Sequence, residues 1–332
     1  MIYNIFHKTE FHYQSMVTFS HNIARLKPKD SPHQKLLDFS MEIKPNAYES
    51  HQFVDMFGNT NYHLLLREPH HSLAVTGKSR VEIFPDIIEE NINNIKANSI
   101  TYSKAMERLS KFQVSDLHAK QFLFESELIP INSKSIQKYA LESFHKDRDL
   151  FEATIEFMGR IFNDFEFLPG FSDVTTPIDK IFEAKTGVCQ DFAQFAISAL
   201  RSIGLPAKYM SGYIETLPPE GEEKLFGADA SHAWFAVYIP NAGWAEFDPT
   251  NNIIPKEQHI VLGSGRDYSD ISPLKGVVLS SGNSYLSVMV DVKREEERVL
   301  TGGGVQEIQT QTQTQGQTQT LMQRQCQMQE QW

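Results

Sequence analysis

KTGVCQDFAQF, residues 185 to 195, is the stretch on which the fold turns. Gly187 closes one segment. Cys189 opens another, in which Phe192, Phe195, Ala196, Ala199 and Leu200 recur at helical spacing. The pattern predicts a helix with a cysteine in its first turn. A helix N-terminus offers unpaired N–H groups and partial positive charge, which stabilise a thiolate and can receive a developing oxyanion. The same position also suits a small buried apolar residue, a common fate of free cysteine. Position alone leaves both readings open. The other cysteine is Cys326. Two cysteines make no disulfide framework, which fits a reducing compartment.

Downstream, Gly204 and Pro206 stop the helix. Three strand-like runs follow, AKYMSGYIE (207–215), SHAWFAVYI (231–239) and GWAEFDPT (243–250), with the polar loop LPPEGEEKLFGAD between the first two. His232 opens one apolar strand and Asp248 closes the next. Their separation is even, so an antiparallel hairpin puts both on one face. A tight turn from Pro240 to Gly243 leaves them out of register, so a bulge or a wider loop is expected. Alone, His232 reads equally as a core or rim histidine, and Asp248 as a turn residue before Pro249. Asp248 is nevertheless a carboxylate between Phe247 and Pro249, and a partly buried carboxylate needs a partner such as a histidine N–H. Together the three residues suit nucleophilic catalysis. Cysteine attacks, histidine takes and returns the proton, and aspartate orients the imidazole.

Upstream, residues 1–85 read as a β-rich domain. Leu37, Phe39, Met41 and Ile43 alternate with Asp38, Ser40 and Glu42, Gly58-Asn59 marks a hairpin, and Gly77 interrupts two further alternating pieces. Residues 86–149 form a helical connector, in which Ile136, Tyr139, Ala140 and Phe144 repeat at helical spacing. Phe151, Ile155, Met158 and Phe162 begin a core domain of 150–292 that includes C-terminal strands. Thr176-Pro177-Ile178-Asp179 reads as the start of a short helix, with Thr176 as its cap. The fold class expected is α+β: a helix bearing the cysteine, packed on an antiparallel sheet and preceded by a small all-β domain.

The segments GVCQDFAQF, GLPAKYMSGYI, SHAWFAVYIPNAGWAEFDPTN and GRDYSDISPLKGV resemble the transglutaminase-like proteins of bacteria, a group with a papain-like core. The resemblance covers about residues 150 to 290. The N-terminal region, with its Asp55-x-x-Gly58-Asn59 turn, resembles the β-rich domain that precedes this core in the bacterial group. The resemblance implies a cysteine hydrolase acting on an amide or peptide bond through a thioester, with Cys189 as nucleophile, His232 as base and acid, and Asp248 as orienting carboxylate. An acyltransferase that passes the same thioester to an amine is the alternative. A non-catalytic binding module on this fold is another. Trp234 and Trp244 match the family's recurrent tryptophans and are expected to wall the site, and Tyr213 to line the cleft. The Cys189 backbone N–H is the expected oxyanion donor. Papain-like proteases carry a glutamine six residues before the cysteine; here that residue is Glu183, so this donor does not transfer.

The net charge of −11, without a basic block, argues against nucleic acid or an anionic membrane as partner. A peptide or protein substrate is expected. No apolar leader or spanning segment stands out, so a cytoplasmic location is the expectation. No Asp-rich calcium loop is present and the remaining histidines, including His70-His71, show no metal-ligand spacing, so no metal and no cofactor are expected. Those histidines are read as loop or surface residues. Residues 301–332 form a low-complexity tail in which glutamine occupies nearly every odd position from 309 to 331.

Overall fold

The computed structural model describes residues 1–295 except 112, 217–225, 228 and 280. The glutamine-rich tail, Cys326 and most of the loop after residue 216 lie outside the described residues. Six strands come first: β1 (Ile2–Val17), β2 (Phe19–Lys27), β3 (Gln34–Lys44), β4 (Glu49–Val54), β5 (Thr60–Leu66) and β6 (His70–Ile83). Helices α1 (Pro85–Asn98), α2 (Tyr102–Ser110), α3 (Leu117–Lys120), α4 (Lys134–Leu141) and α5 (Leu150–Asp164) follow. Then come the two-residue strand β7 (Glu166–Phe167), α6 (Ile178–Ala184), its parallel partner β8 (Thr186–Gly187), and α7 (Cys189–Ser202). The chain continues through β9 (Ala207–Ile214), β10 (Ser231–Ile239), β11 (Gly243–Phe247), β12 (His259–Gly265), α8 (Tyr268–Ile271), β13 (Leu274–Leu279) and β14 (Ser284–Arg294).

Three four-stranded sheets result, in the orders β14-β1-β6-β3, β13-β2-β5-β4 and β11-β10-β9-β12. The first two face each other across Tyr13, Val17, Ala24, Leu26, Leu64 and Leu66. The last two strands complete these N-terminal sheets instead of extending the core, contrary to the sequence assignment: β13 pairs with β2 and β14 with β1. Each covers a strand whose backbone would otherwise be an unpaired edge. Within β3 the register shifts between Leu36 and Asp38, so Leu37 is a bulge residue and faces solvent. The inward row is therefore Leu36, Phe39, Met41 and Ile43. β6 runs unbroken through Gly77, where Leu26 from the facing sheet occupies the space a side chain would need.

The core is organised around α7, in which every residue from Asp191 to Arg201 is buried. One side of it meets β9 and β10, the other α4, α5 and α6. Ile95, Ala105, Leu109, Ile136 and Tyr139 join the same hydrophobic cluster, so the expected connector is part of the core. Helix α5 is capped by Asp149, whose carboxylate accepts the N–H groups of Phe151 and Glu152. It buries Phe151, Thr154, Phe157, Met158 and Ile161, leaving Phe162 exposed, a face rotated from the expected stripe. α6 begins at Ile178 after Pro177, one residue later than expected. No helix among the described residues is long and apolar enough to cross a membrane.

Two side-chain amides join the β-rich region to the core. Gln34 donates to the Val261 carbonyl (2.8 Å) and accepts from the Val261 N–H (2.8 Å). Asn59 treats Ser264 the same way, at 2.8 and 3.0 Å. Each amide imitates one rung of a ladder along the outer edge of β12, whose buried backbone groups need such partners. The hairpin turn at Gly58-Asn59 thus docks the region as well as reversing the chain.

Candidate active site

Lys185, in the left-handed conformation, ends α6. Thr186 and Gly187 pair with Glu166 and Phe167, Val188 is extended, and Cys189 is the first residue of α7. Asp191 folds back on this junction, accepting the Val188 N–H at 2.9 Å and the Ser172 hydroxyl at 2.5 Å. A Cβ on residue 187 would lie 2.8 Å from the Asp191 side chain. Gly187 is therefore required for close approach, not for ending a helix. The helix mouth is fixed, and Cys189, 6% exposed, lines a narrow cleft.

His232, in the second position of β10, borders the same cleft. It hydrogen-bonds the Cys189 side chain, and its Nε2 lies 2.7 Å from Asp248 Oδ2. The hairpin needs neither the bulge nor the wide loop expected. Ile239 pairs with Gly243 and Phe235 with Phe247 in regular register. Extending that register sets Asp248 across from Trp234, on the face that His232 shares, and the imidazole reaches the carboxylate diagonally.

Asp248 is fully buried and heavily solvated by protein. Oδ1 accepts the backbone N–H groups of Thr250 (3.0 Å) and Asn251 (3.2 Å). Oδ2 accepts from His232, from the Asn251 amide (2.7 Å) and from Nε2 of His259 (3.0 Å). Burial works to raise this carboxyl, but the charge and hydrogen bond of His232, and then His259, outweigh it and hold it well below the usual carboxylate range. Burial likewise opposes charge on His232. Attraction and hydrogen bonding from Asp248, reinforced by Cys189, push it up to about 10. The buried Asp248 carboxylate thus favours the imidazolium form of His232.

His259 and Asn251 were not picked out in the sequence. His259 is buried on β12 rather than at the surface, and sequence spacing carries no sign of its approach to Asp248. The ligand-capable atoms of His232, Asp248 and His259 lie within 4.8 Å of one another, close enough to share a metal ion, though hydrogen bonds join them here. His7 is also buried, its ring between Tyr213 and Thr9.

The expected substrate residues fall elsewhere. Trp234 is fully buried behind the histidines, its ring stacked on His232 (5.9 Å) and edge-on to His259 (5.3 Å), with its N–H donated to Glu246 at 2.7 Å. It holds the imidazoles rather than walling the cleft. Trp244 packs on Phe122 and Tyr238 beneath the Lys208 ammonium and borders a second cavity, which His259 also lines. Tyr213 lies past the cleft, where β1 covers the sheet, with its hydroxyl 2.9 Å from His7 Nδ1. Tyr209, Ser211, Ser231, Gln190 and Tyr268 line the cleft instead. Tyr268 begins α8, which follows β12.

Comparison with known proteins matches two family models. The bacterial transglutaminase-like N-terminal region matches residues 3–82, and the transglutaminase-like superfamily matches residues 137–249. An uncharacterized protein of Mycobacterium tuberculosis is 33% identical over 298 residues, covering 87% of this chain and 92% of that one. One from Mycobacterium leprae is 30% identical, covering 87% and 98%. A protein-glutamine gamma-glutamyltransferase of Pseudomonas aeruginosa is 33% identical over 101 residues, 29% of this chain and 15% of that protein. A crystal structure from Cytophaga hutchinsonii, named as a candidate cysteine protease, superposes with a TM-score of 0.66 at 21% identity, covering 88% of this chain and 90% of that one.

Proposed function

Because the chain belongs to the transglutaminase-like superfamily, we propose that it is a cysteine hydrolase that opens an amide or peptide bond through a thioester on Cys189. One observation carries the reading: Cys189, His232 and Asp248 form a continuous hydrogen-bonded line that ends in a cleft at the mouth of α7. His232 Nε2 is committed to Asp248, which leaves Nδ1 to take the thiol proton. The thiolate sulfur attacks the carbonyl carbon, and the carbonyl π electrons move to oxygen. The Cys189 N–H at the helix start faces that oxyanion. The tetrahedral adduct collapses, the amine leaves with the proton from His232, and the acyl group stays on sulfur. Water, deprotonated by His232, then releases the acid and restores the thiol.

Discharge of the same thioester by an amine is the second reading. The name of the Pseudomonas aeruginosa relative, a protein-glutamine gamma-glutamyltransferase, favours it. We place the substrate among peptides or proteins, and the enzyme in the cytoplasm, where the thiol stays reduced.

The test is alkylation of Cys189 by limiting iodoacetamide from pH 5 to 9 in a Cys326→Ser background, followed by peptide mass. Rapid labelling well below the free-thiol pKa of about 8.5, weakened in His232→Ala, is expected. A substrate screen with and without an amine acceptor then separates hydrolysis from transfer. Slow labelling with an ordinary thiol profile, indifferent to His232→Ala, would mean a binding module on this fold.

A further inference from the structure

The solvent face of the sheet β13-β2-β5-β4 carries three histidines that sequence spacing gave no reason to group. His21 lies on β2, His63 on β5 and His51 on β4. His51 and His63 are direct cross-strand partners. His21 stands opposite Leu65, one diagonal step from His63 on the same face. The rings of His21 and His63 are 4.1 Å apart at 72°, with their Nε2 atoms in contact. The ring of His51 lies 5.7 Å from that of His63. Its Nε2 is 3.3 Å from Glu49 Oε1, and both side chains are more than half exposed.

We infer that this face is a binding site for a late transition-metal ion of the zinc class. Imidazole is a preferred ligand for such ions, bound through an unprotonated ring nitrogen at about 2.0–2.1 Å. Two facing Nε2 atoms can share only one proton between them, and an incoming metal ion displaces that proton and takes both lone pairs. His63 is the most enclosed of the three. Its Nδ1 is buried without a hydrogen-bond partner, so no second bond fixes the ring against a small adjustment. His21 and His63 point their Nε2 atoms at each other, and a small separation of the rings, to about 3.3 Å between nitrogens, seats one ion between them. His51 completes a three-nitrogen set by rotation of its exposed side chain, and Glu49 follows it as a carboxylate that offsets the ion's charge. Three adjacent strands hold the Cα positions fixed, so little ordering is needed on binding. The site involves none of the residues around Cys189 and does not depend on the proposed reaction.

Full-length protein carrying Cys189→Ala and Cys326→Ser, which removes both thiols, is titrated calorimetrically with zinc chloride. One ion per chain is expected, with a dissociation constant in the micromolar range. His21→Gln and His63→Gln are each expected to weaken binding by at least about tenfold, and His51→Gln by less. His259→Gln should leave it unchanged. His21 is exposed, so its variant folds and the comparison stands even if His63→Gln is unstable. Absence of one-to-one binding overturns the inference. So does binding that survives His21→Gln but is lost in His259→Gln, because the ion would then occupy the buried group at Asp248.

Discussion

Asp248→Asn changes one atom and reverses the electrostatics of the site. In the wild-type protein the carboxylate accepts five N–H groups, two from backbone and three from side chains. An asparagine oxygen retains the two backbone donors. Its NH2 group then confronts His232, the Asn251 amide and His259, all of which donate. The buried His232 relieves this by turning Nε2 into an acceptor and moving its proton to Nδ1, the nitrogen that must receive the thiol proton. The imidazolium also loses its counter-ion, and burial alone disfavours its charge. The thiol then returns toward a free-thiol pKa of about 8.5, ionised to only about 0.1% at pH 5.5. An ion-paired thiolate whose pKa lies about three units lower is about half formed at that pH, a gain of about 500-fold in population. Its lower basicity reduces intrinsic reactivity by about 25-fold over three pKa units. The net expectation is a fall of about 20-fold in Cys189 alkylation by iodoacetamide at pH 5.5. At pH 9 the variant should react as fast as wild type or faster, since its thiolate is formed and more basic. Measured in a Cys326→Ser background, equal rates at pH 5.5 would refute the claim that Asp248 sustains the ion pair.

Other perturbations test the supporting structure. His259→Leu removes an N–H from a buried carboxylate and should cost about 1–3 kcal/mol in urea unfolding, part of which His259→Gln restores; equal midpoints for all three proteins would deny the bond any weight. Asn59→Ala leaves the N–H and carbonyl of Ser264 unpaired at the β12 edge, and a loss of about 2 kcal/mol is expected; an unchanged midpoint would show that water replaces the amide without cost. Gly187→Ala pushes a methyl group into Asp191, so slower alkylation of Cys189 is expected, and wild-type kinetics would show that the junction yields freely. His232 is raised from 6.5 to about 10, so its protonated form stabilises the fold in full below about pH 6.5 and is lost as pH rises through about 10. The stability gap between wild type and His232→Gln should therefore narrow progressively from about pH 6.5 to about pH 10, and a gap constant from pH 6 to 10.5 would contradict that sign.

Much of the architecture was legible because it is local. Alternation in the first 85 residues, the Gly58-Asn59 turn and the apolar stripe after Cys189 each record a backbone period that side-chain burial must follow. Where the expected faces were wrong, a neighbour decided. A one-residue bulge exposed Leu37, and the packing around α5 turned Phe162 outward. The allocation of residues 274–294 could not be seen, because an alternating strand does not state which sheet it will join.

At the site the division is similar. Sequence by itself determined the chemistry on offer: a cysteine at the start of an apolar helix, a histidine opening one strand and a carboxylate closing the next. Their types, order and even spacing are properties of the chain. Only the tertiary structure decided what surrounds them. It brought His259 from β12 and Asn251 from the following turn onto Asp248, set Trp234 behind the imidazoles, and moved Tyr213 out of the cleft and against His7. It also gathered His21, His51 and His63 from three strands. The reason is physical. Charge stabilisation and metal ligation depend on distances between atoms, and a sheet brings together residues whose separation along the chain carries no trace of that proximity.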